Sequence, residues 1–302
     1  MDQAEQLRNI IKANNVMTQS AGNLPKRPVA RVITVTSGKG GVGKSNTAIN
    51  LAIQFRKMGQ KVIILDADFG LANIEIMFGA VPKHNLCDLI YQGKNIREII
   101  TWGPMDVGFI SGGSGIAGMS NLSREYLIYI IKNLAELDAI ADVIIIDTGA
   151  GISEAVLEFL VASGEILLVT TPEPTSITDS YSLLKALNRH PRFSNEHSKI
   201  KVIANRVDSQ EEGKLLYSKL STVVSRYLKL PLDFLGSVPQ DKQLSKAVMQ
   251  QMPVSLQNPG AASSVAYQKM AEVLMNKETN QTIPKRGMAA FFSHIVAGNR
   301  RA

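Results

Sequence analysis

Cysteine and long apolar runs are scarce in this sequence of 302 residues. The lone Cys87 excludes an intramolecular disulfide and a four-cysteine metal centre, and such usage is typical of a reducing compartment. No apolar run reaches eighteen residues, so the sequence predicts no membrane-spanning helix. The first residues also lack the basic patch and apolar block of a secretory signal, so we expect a cytoplasmic protein.

Acidic residues are few at the two ends of the chain. Residues 1–31 hold five Lys or Arg and two acids, and residues 285–302 hold four Lys or Arg and no acid. The remaining body has 24 bases and 24 acids, so the net charge of +7 belongs to the ends. We therefore expect no direct DNA binding by a globally basic surface, although a local basic patch is left open.

The body alternates short β-branched runs with amphipathic stretches, a pattern typical of strand and helix units in a parallel sheet. The charged fraction of 20% and the hydrophobic fraction of 45% indicate a folded chain. The expected strands are Val32–Thr36, Lys61–Leu65, Val107–Ile110, Asp142–Ile146, Ile166–Thr170, Ile200–Asn205 and Phe234–Val238. The expected helices are Ser45–Met58, Ser123–Leu137, Ile152–Ser163, Ser176–Asn188, Glu211–Lys229, Lys242–Met249 and Ser263–Met275.

The sequence predicts one α/β domain, with a mostly parallel sheet flanked by helices on both faces, and two short terminal segments. Polar, proline-broken stretches separate these parts. We assign residues 1–17 to an N-terminal helix, 18–30 to a linker, 31–276 to the domain, 277–286 to a second linker and 287–298 to an amphipathic helix.

A glycine-rich motif follows the first expected strand and precedes a helix, which is the context of a P-loop that binds phosphates. Its backbone N–H groups and the start of the helix would face the phosphates. Lys44 is expected to bind the β- and γ-phosphates, and Ser45 to ligate Mg²⁺. The predicted ATP-binding residues of this segment are Gly38, Lys39, Gly40, Gly41, Val42, Gly43, Lys44, Ser45 and Asn46.

The second lysine of the loop, Lys39, is not needed by a backbone cradle. With it, the segment Lys39–Ser45 resembles the deviant Walker A motif of the MinD/ParA family of ATPases. That resemblance implies slow ATP hydrolysis by an ATP-dependent homodimer, with Lys39 reaching the nucleotide of the partner subunit in the manner of an arginine finger.

Two further segments, one around Asp66 and Asp68 and the other at Gly149–Gly151, resemble the two switch segments of that family. The resemblance implies that Asp68 orients the attacking water and that Asp66 lies near Mg²⁺. Asp147, which closes an apolar run before Gly149–Gly151, is the expected Walker B acid and holds Mg²⁺ through water. Without the phosphate loop, the first two aspartates would be equally well explained as turn formers.

The adenine site and the dimer face follow from weaker similarities. The dipeptide Asn205-Arg206 resembles the family's base-binding pair, and Pro239 and Asp241 resemble the loop over the other face of the base. Both segments are also ordinary turns at strand ends. The same resemblance implies that Lys39, Asn73 and Asp179 lie on the dimer face.

The C-terminal segment has one apolar helical face, formed by residues at positions i, i+3, i+4, i+7 and i+8. With basic residues on both sides, it is suited to the surface of anionic inner-membrane lipid. Docking of this face on the body is the alternative, and both can hold in a switch. The predicted membrane-facing residues are Met288, Phe291, Phe292, Ile295 and Val296.

The N-terminal segment Asp2–Arg8 resembles the motif of the FlhG branch of MinD-like regulators of flagellar number. In that branch the segment stimulates the flagellar signal-recognition-type GTPase FlhF. The resemblance implies a role for Gln3 in the partner's active site, and small GTPases use a glutamine in the same way. The expected GTPase-activating residues are Asp2, Gln3, Ala4, Leu7 and Arg8.

We therefore expect a regulatory ATPase that cycles between a cytoplasmic monomer and a dimer at the cytoplasmic side of the inner membrane. Basal-body switch proteins or a flagellar transcription activator are the further partners of some relatives. A ParA-like partitioning ATPase is the alternative, and it predicts salt-sensitive DNA binding. A scaffold with a degenerate nucleotide site is disfavoured by the intact Lys44, Ser45, Asp68 and Asp147.

Overall fold

A computed structural model describes residues 29–68, 73–112 and 133–276, together with 287, 288, 290–292 and 295. Eight strands within these ranges form one sheet in the order β3-β4-β2-β5-β1-β6-β7-β8. All neighbours pair in parallel except β3 and β4, which are antiparallel. The strands are β1 Arg31–Ser37, β2 Val62–Ala67, β3 Thr101–Trp102, β4 Gly108–Ile110, β5 Val143–Ala150, β6 Glu165–Thr170, β7 Lys199–Val207 and β8 Asp233–Pro239.

Ten α-helices of the described part surround the sheet. They are α1 Lys44–Lys57, α2 Asn73–Phe78, α3 Leu86–Tyr91, α4 Ile96–Ile99, α5 Glu154–Ala162, α6 Pro174–Arg189, α7 Gln210–Leu228, α8 Lys242–Met249, α9 Val254–Gln257 and α10 Ala262–Met275. Short 3₁₀ turns cover Pro104–Asp106 and Glu136–Ala139. No helix in these ranges has the length and apolarity needed to cross a bilayer.

Alternate residues of each central strand point to opposite faces of the sheet, and both faces are buried. In β5, for example, Val143 and Ile145 belong to the buried cluster that includes residues of α1 and α10, whereas Ile144 and Ile146 belong to the cluster that includes residues of α5. This double burial explains the nearly continuous apolar sequences of the central strands. It confirms the predicted α/β class with helices on both faces.

All seven predicted strands are present, with ends that differ from the prediction by at most four residues. The prediction omitted β3, a two-residue edge strand, and the short helices α2, α3, α4 and α9. Most of the predicted helix Ser123–Leu137 lies outside the described residues.

The carboxyl ends of β1, β2, β5, β6 and β7 meet at one edge of the sheet, because these strands are parallel. The chain order changes direction at β1, which lies between β5 and β6. Ligands of open α/β sheets bind at such a switch point. The predicted phosphate loop directly follows β1, and therefore lies at this position.

Candidate nucleotide site

The phosphate loop curls between β1 and α1 and leaves the start of α1 free. Gly41 and Gly43 have positive φ angles of 75° and 98°, which favour glycine. No side chain caps α1, and its first turn has no acidic residue. The first N–H groups of a helix lack intrahelical partners, so this helix start is suited to an anion.

The loop also packs closely against α6. A β-carbon at Gly38 would lie 2.2 Å from the carbonyl carbon of Asp179, so only glycine fits there. Asp179 is half-buried beside the loop. The structure therefore brings this predicted dimer-face residue next to the phosphate site, through its backbone.

Asn205 braces the opposite side of the loop. Its side-chain amide donates to the carbonyl oxygen of Val42 at 2.6 Å, and the side chain is buried. A β-carbon at Gly43 would lie 2.3 Å from the same amide nitrogen. The geometry thus gives Asn205 a positioning role that the sequence did not indicate, and its predicted base contact stays a prediction.

Two carboxylates lie on adjacent strands near Lys44 and Ser45 of the loop. Asp66 of β2 and Asp147 of β5 are paired in register. Asp147 is fully buried, and neither of its oxygens has a hydrogen-bond partner of ordinary geometry among the described residues. Burial raises its pKa to about 6, although the nearby Ser45 hydroxyl and the Lys44 ammonium oppose this rise.

Asp66, in contrast to Asp147, has a hydrogen-bond partner for each carboxylate oxygen. One of its oxygens accepts from the backbone N–H of Asp68 at 3.1 Å, and the other accepts from that of Ile74 at 3.3 Å. Burial, followed by the charge of Asp147, raises the pKa of Asp66 to about 7. Two buried acids this close titrate as a coupled pair.

These residues fit a divalent cation. A buried carboxylate without partners is costly unless a cation or hydrogen bonds compensate it. Ser45 and the two aspartates supply only oxygen atoms, the ligands that Mg²⁺ prefers. The unpartnered oxygens of Asp147 therefore support the predicted metal residues Ser45, Asp66 and Asp147.

Asp68 lies at the edge of the same cluster. Its carboxylate accepts from the side-chain amide of Asn73 at 3.3 Å. One of its oxygens lies 3.6 Å from the position of a β-carbon at Gly149, so it faces the carboxyl end of β5. The two predicted switch segments therefore meet here, and Asn73 contacts the predicted water-orienting residue.

Lys39 points to α6. Its ammonium group donates to the Glu173 carboxylate at 2.7 Å and to the Thr175 hydroxyl at 2.8 Å. Both side chains of the ion pair are partly exposed. The lysine is thus held at the surface by a segment 134 residues away in sequence, and sequence reasoning identified neither partner.

The predicted adenine loop is organised by Asp241. Its carboxylate caps α8 through the N–H of Gln243 at 2.8 Å, and accepts from Ser263 at 2.7 and 3.0 Å. Arg206, next to Asn205, has a φ of 57°. Pro239 ends β8 and is paired with Val207 of β7. Asn205, Arg206 and Pro239 therefore lie next to one another at the carboxyl ends of these two strands.

The predicted membrane face packs on the body. Met288, Phe291 and Phe292 are at most 1% exposed, and Ile295 is partly buried. Phe159 of α5 stacks on Phe291 at 6.0 Å and contacts the edge of Phe292 at 6.4 Å. The docking alternative of the sequence analysis therefore describes this structure.

Asp138 fixes the start of the docked segment. Its carboxylate accepts from the Met288 N–H at 2.9 Å, and a β-carbon at Gly287 would lie 2.2 Å from the same carboxylate. Val296 and the predicted GTPase-activating residues Asp2, Gln3, Ala4, Leu7 and Arg8 lie outside the described residues.

Comparison with known proteins agrees with this geometry. Residues 33–254 match the family model described as the CobQ/CobB/MinD/ParA nucleotide binding domain. The septum site-determining protein MinD from Pyrococcus horikoshii, solved with Mg-ADP, has a TM-score of 0.64 at 22% identity, over 84% of this chain and 98% of that one. A Borrelia burgdorferi plasmid partition protein bound to AMPPNP has a TM-score of 0.65 at 21% identity, over 82% and 98%.

Two curated relatives are more similar in sequence. The antiactivator FleN of Pseudomonas aeruginosa is 38% identical over 242 residues, which are 80% of this chain and 85% of FleN. The flagellum site-determining protein YlxH of Helicobacter pylori is 33% identical over 301 residues, which are 98% of each chain. The chain therefore belongs to the MinD/ParA family of P-loop ATPases, and within it to the FleN and YlxH group of flagellar regulators.

Proposed function

We propose that this chain is an ATP-dependent dimerising switch that sets flagellar number and placement. In this proposal it associates peripherally with the inner membrane through its C-terminal segment. It stimulates an FlhF-type GTPase through its N-terminal segment. The observation that carries the proposal is the phosphate loop with two lysines, one buried beside Asp147 and one directed outward to Glu173.

The residues around the loop have separate roles in ATP hydrolysis. The loop backbone and Lys44 bind the phosphates, and Ser45, Asp66 and Asp147 would hold Mg²⁺. Bound there, Mg²⁺ neutralises charge on the phosphate oxygens. Asp68 accepts a hydrogen bond from the attacking water and so orients it, and Asn73 fixes the carboxylate of Asp68.

The position of Lys39 supports the proposed dimerisation. An ammonium group on the surface can act on a partner's nucleotide only if two copies face each other at this edge. Its present hydrogen-bond partners, Glu173 and Thr175, lie on the same edge. The Lys39 ammonium therefore breaks these hydrogen bonds when it reaches the nucleotide of the partner subunit. Exposed ion pairs of this kind contribute little, so the exchange is inexpensive.

Membrane association uses the face that the body now covers. Release from Phe159 would expose Met288, Phe291 and Phe292 together, beside the basic residues Lys285 and Arg286. One such segment binds lipid weakly, whereas two on a dimer gain avidity. Attachment would therefore depend on ATP.

The dimer is the first part of the proposal to test. With Asp68→Ala as a background that slows hydrolysis, light scattering with ATP should give twice the monomer mass, and with ADP the monomer mass. Lys39→Ala on the same background should bind ATP with unchanged affinity and stay monomeric, while Lys57→Ala, a remote lysine on α1, should still dimerise. An ATP-dependent dimer of the Lys39→Ala variant would contradict action of Lys39 in trans.

A further inference from the structure

Tyr267, on α10, is a buried polar side chain that the nucleotide site described above does not use. It is fully buried, and its hydroxyl has no hydrogen-bond partner of ordinary geometry among the described residues. Burial raises the pKa of Tyr267 to about 12, so the hydroxyl keeps its proton at neutral pH. A buried donor without an acceptor is destabilising, and such a group in a folded protein calls for an explanation.

The hydroxyl of Thr47 lies beside that of Tyr267. Thr47 is buried in the first turn of α1, directly after the phosphate loop. It donates its own proton to the Gly43 carbonyl oxygen at 2.9 Å. A hydroxyl that donates its proton still has lone pairs, so Thr47 can accept from Tyr267. The polarity therefore suits a chain of hydrogen bonds from Tyr267 through Thr47 to Gly43.

Gly43 is the residue at which the phosphate loop becomes α1. The neighbouring Val42 carbonyl is already held by Asn205, which comes from β7. The bond from Thr47 to Gly43 lies within one helical turn, so it does not fix the loop relative to the rest of the body. A bond from Tyr267 would do so, because α10 is a separate helix that packs against α1.

The helix that carries Tyr267 is itself anchored near the nucleotide site. Ser263, one turn before Tyr267, donates to the Asp241 carboxylate through its hydroxyl at 2.7 Å and its N–H at 3.0 Å. The side-chain amide of Gln54, on α1, donates to the Ser264 carbonyl at 3.3 Å. Tyr267 is therefore held between α1 and the predicted adenine loop.

We infer that Tyr267 is a positioning residue for the nucleotide, which acts through Thr47 on the phosphate loop. Phosphates bound at the start of α1 attract the free N–H groups of its first turn. The accompanying shift brings the Thr47 hydroxyl into hydrogen-bond geometry with that of Tyr267. Because this bond forms only in the phosphate-bound arrangement, it increases the affinity for the nucleotide.

The inference concerns nucleotide binding by a single chain. It rests on membership of the ATPase family and does not depend on dimerisation, membrane association or GTPase activation. Mg-ADP and pyrophosphate are suitable probes, because both place phosphates on the loop and, in the proposed function, the ADP-bound chain is a monomer.

Tyr267→Phe tests the inference, because it removes only the hydroxyl oxygen. Isothermal titration of the full-length variant should show about fivefold weaker binding of both Mg-ADP and pyrophosphate, the effect of one hydrogen bond. The unfolding midpoint without ligand should stay unchanged or rise, because the variant loses an unsatisfied donor.

Tyr217→Phe is the matched control. The Tyr217 hydroxyl, on α7, donates to the Leu232 carbonyl at 2.6 Å. Its loss should lower the unfolding midpoint and leave both affinities unchanged. For Tyr267→Phe, this same result would mean that the hydroxyl stabilises the core only, and would overturn the inference.

A double-mutant cycle tests the role of Thr47. On the background of Thr47→Val, which lacks the hydroxyl, Tyr267→Phe should change the affinity for pyrophosphate by less than about twofold. On the background of Thr47→Ser, which keeps the hydroxyl, the loss should again be about fivefold. Losses that multiply in full on the Thr47→Val background would contradict action through Thr47.

Nuclear magnetic resonance of the unsubstituted protein gives a direct readout. With ¹³C at Cζ of the tyrosines, the Tyr267 signal is the one that Tyr267→Phe lacks. Pyrophosphate should shift this signal, and the shift should be absent from Thr47→Val. An unshifted signal would overturn the inference, as would weaker Mg-ADP binding with unchanged pyrophosphate binding, which would indicate a contact with the base instead of an effect on the loop.

Discussion

Asn205 contacts the phosphate loop in the structure, whereas the sequence resemblance predicts that it contacts the base. Its amide bonds to the Val42 carbonyl and holds the phosphate loop closed. Sequence resemblance instead assigned it to the adenine. The two roles predict different effects of removing the side chain. Loss of a brace weakens the binding of every phosphate ligand, whereas loss of a base contact weakens the binding of ATP alone.

Asn205→Ala should weaken both ATP and pyrophosphate binding about tenfold, because loss of one buried hydrogen bond costs about 1–2 kcal/mol. Isothermal titration with each ligand measures the effect. Arg206→Ala, which leaves the Val42 contact in place, is the matched control for pyrophosphate binding. If Asn205→Ala weakened ATP binding and left pyrophosphate binding unchanged, a base contact would explain Asn205 better than a brace.

The aspartate pair gives a second prediction at this scale. Burial raises the pKa of Asp66 from 3.8 to about 7, so without Mg²⁺ the folded protein holds a proton that the unfolded chain releases. Stability contributed by this group is therefore lost as the pH rises from about 4 to about 7. Asp66→Asn, which cannot ionise, should escape that loss.

Urea unfolding without Mg²⁺ at pH 5 and pH 8 tests the direction of this change in stability with pH. The free energy of unfolding of Asp66→Asn, relative to the unsubstituted protein, should rise between the two pH values. Addition of Mg²⁺ and ATP should favour the unsubstituted protein, because only it keeps the carboxylate. Equal differences at both pH values would rule out a raised pKa at Asp66.

At the scale of elements, the docked C-terminal segment behaves as part of the core. Phe291 is 1% exposed and stacks on Phe159. Phe291→Ala should lower the free energy of unfolding by about 3 kcal/mol, the usual cost of a buried phenylalanine. Gly287→Val should undock the segment without removing an apolar group, since its side chain would clash with Asp138.

Limited proteolysis and sedimentation with anionic liposomes separate these outcomes. Gly287→Val should expose the segment to protease and increase lipid binding without ATP. Phe291→Glu should abolish ATP-dependent lipid binding. Ala290→Ser, at an exposed position of the same segment, should change neither measurement, and unchanged lipid binding by Phe291→Glu would refute the membrane role.

The elements differ in how far the sequence predicts them. Central strands such as Val143–Ile146 are predictable because burial on both faces leaves a continuous apolar run. The short helices α3 and α4 lack a full apolar period, although their capping boxes at Asn85 and Asn95 are recognisable in sequence. The two-residue strand β3 forms through pairing with β4, which no local pattern indicates.

The same distinction applies to the nucleotide site. The phosphate loop is contiguous, so its residues are predictable from the sequence. The contacts of Lys39 with Glu173 and of Asn205 with Val42 join residues 134 and 163 positions apart. Such contacts depend on the order of strands in the sheet, which a single sequence does not specify.

At the scale of the whole molecule, the proposed function assigns the outputs of the ATPase body to the two terminal segments. The N-terminal segment precedes β1 in the chain, whereas the nucleotide site lies at the carboxyl end of that strand. A peptide of residues 1–20 should therefore act on an FlhF-type GTPase without the body.

The peptide should raise GTP hydrolysis by the cognate GTPase, and the Gln3→Ala version should not, because the glutamine is expected to orient the attacking water. Phosphate release measures the rate, and a Gln6→Ala peptide is the matched control. If neither the peptide nor the full-length chain stimulated hydrolysis, the N-terminal part of the proposal would be wrong, and DNA binding would then test the partitioning alternative.

The docking of Phe291 and Phe292 on Phe159 has a consequence for how membrane attachment is controlled. In the proposed function, the body and the bilayer compete to bury the same apolar side chains. Removal of each large side chain from water gains about 1.5–3 kcal/mol in either environment, so transfer between them changes the free energy only slightly. If the segment binds lipid as proposed, a small shift of α5, which begins three residues after Gly151, would be enough to move it from the body to the bilayer. The attachment would be sensitive to such a shift because the docked state and the lipid-bound state have nearly equal free energies. A strong affinity for lipid would remove this sensitivity.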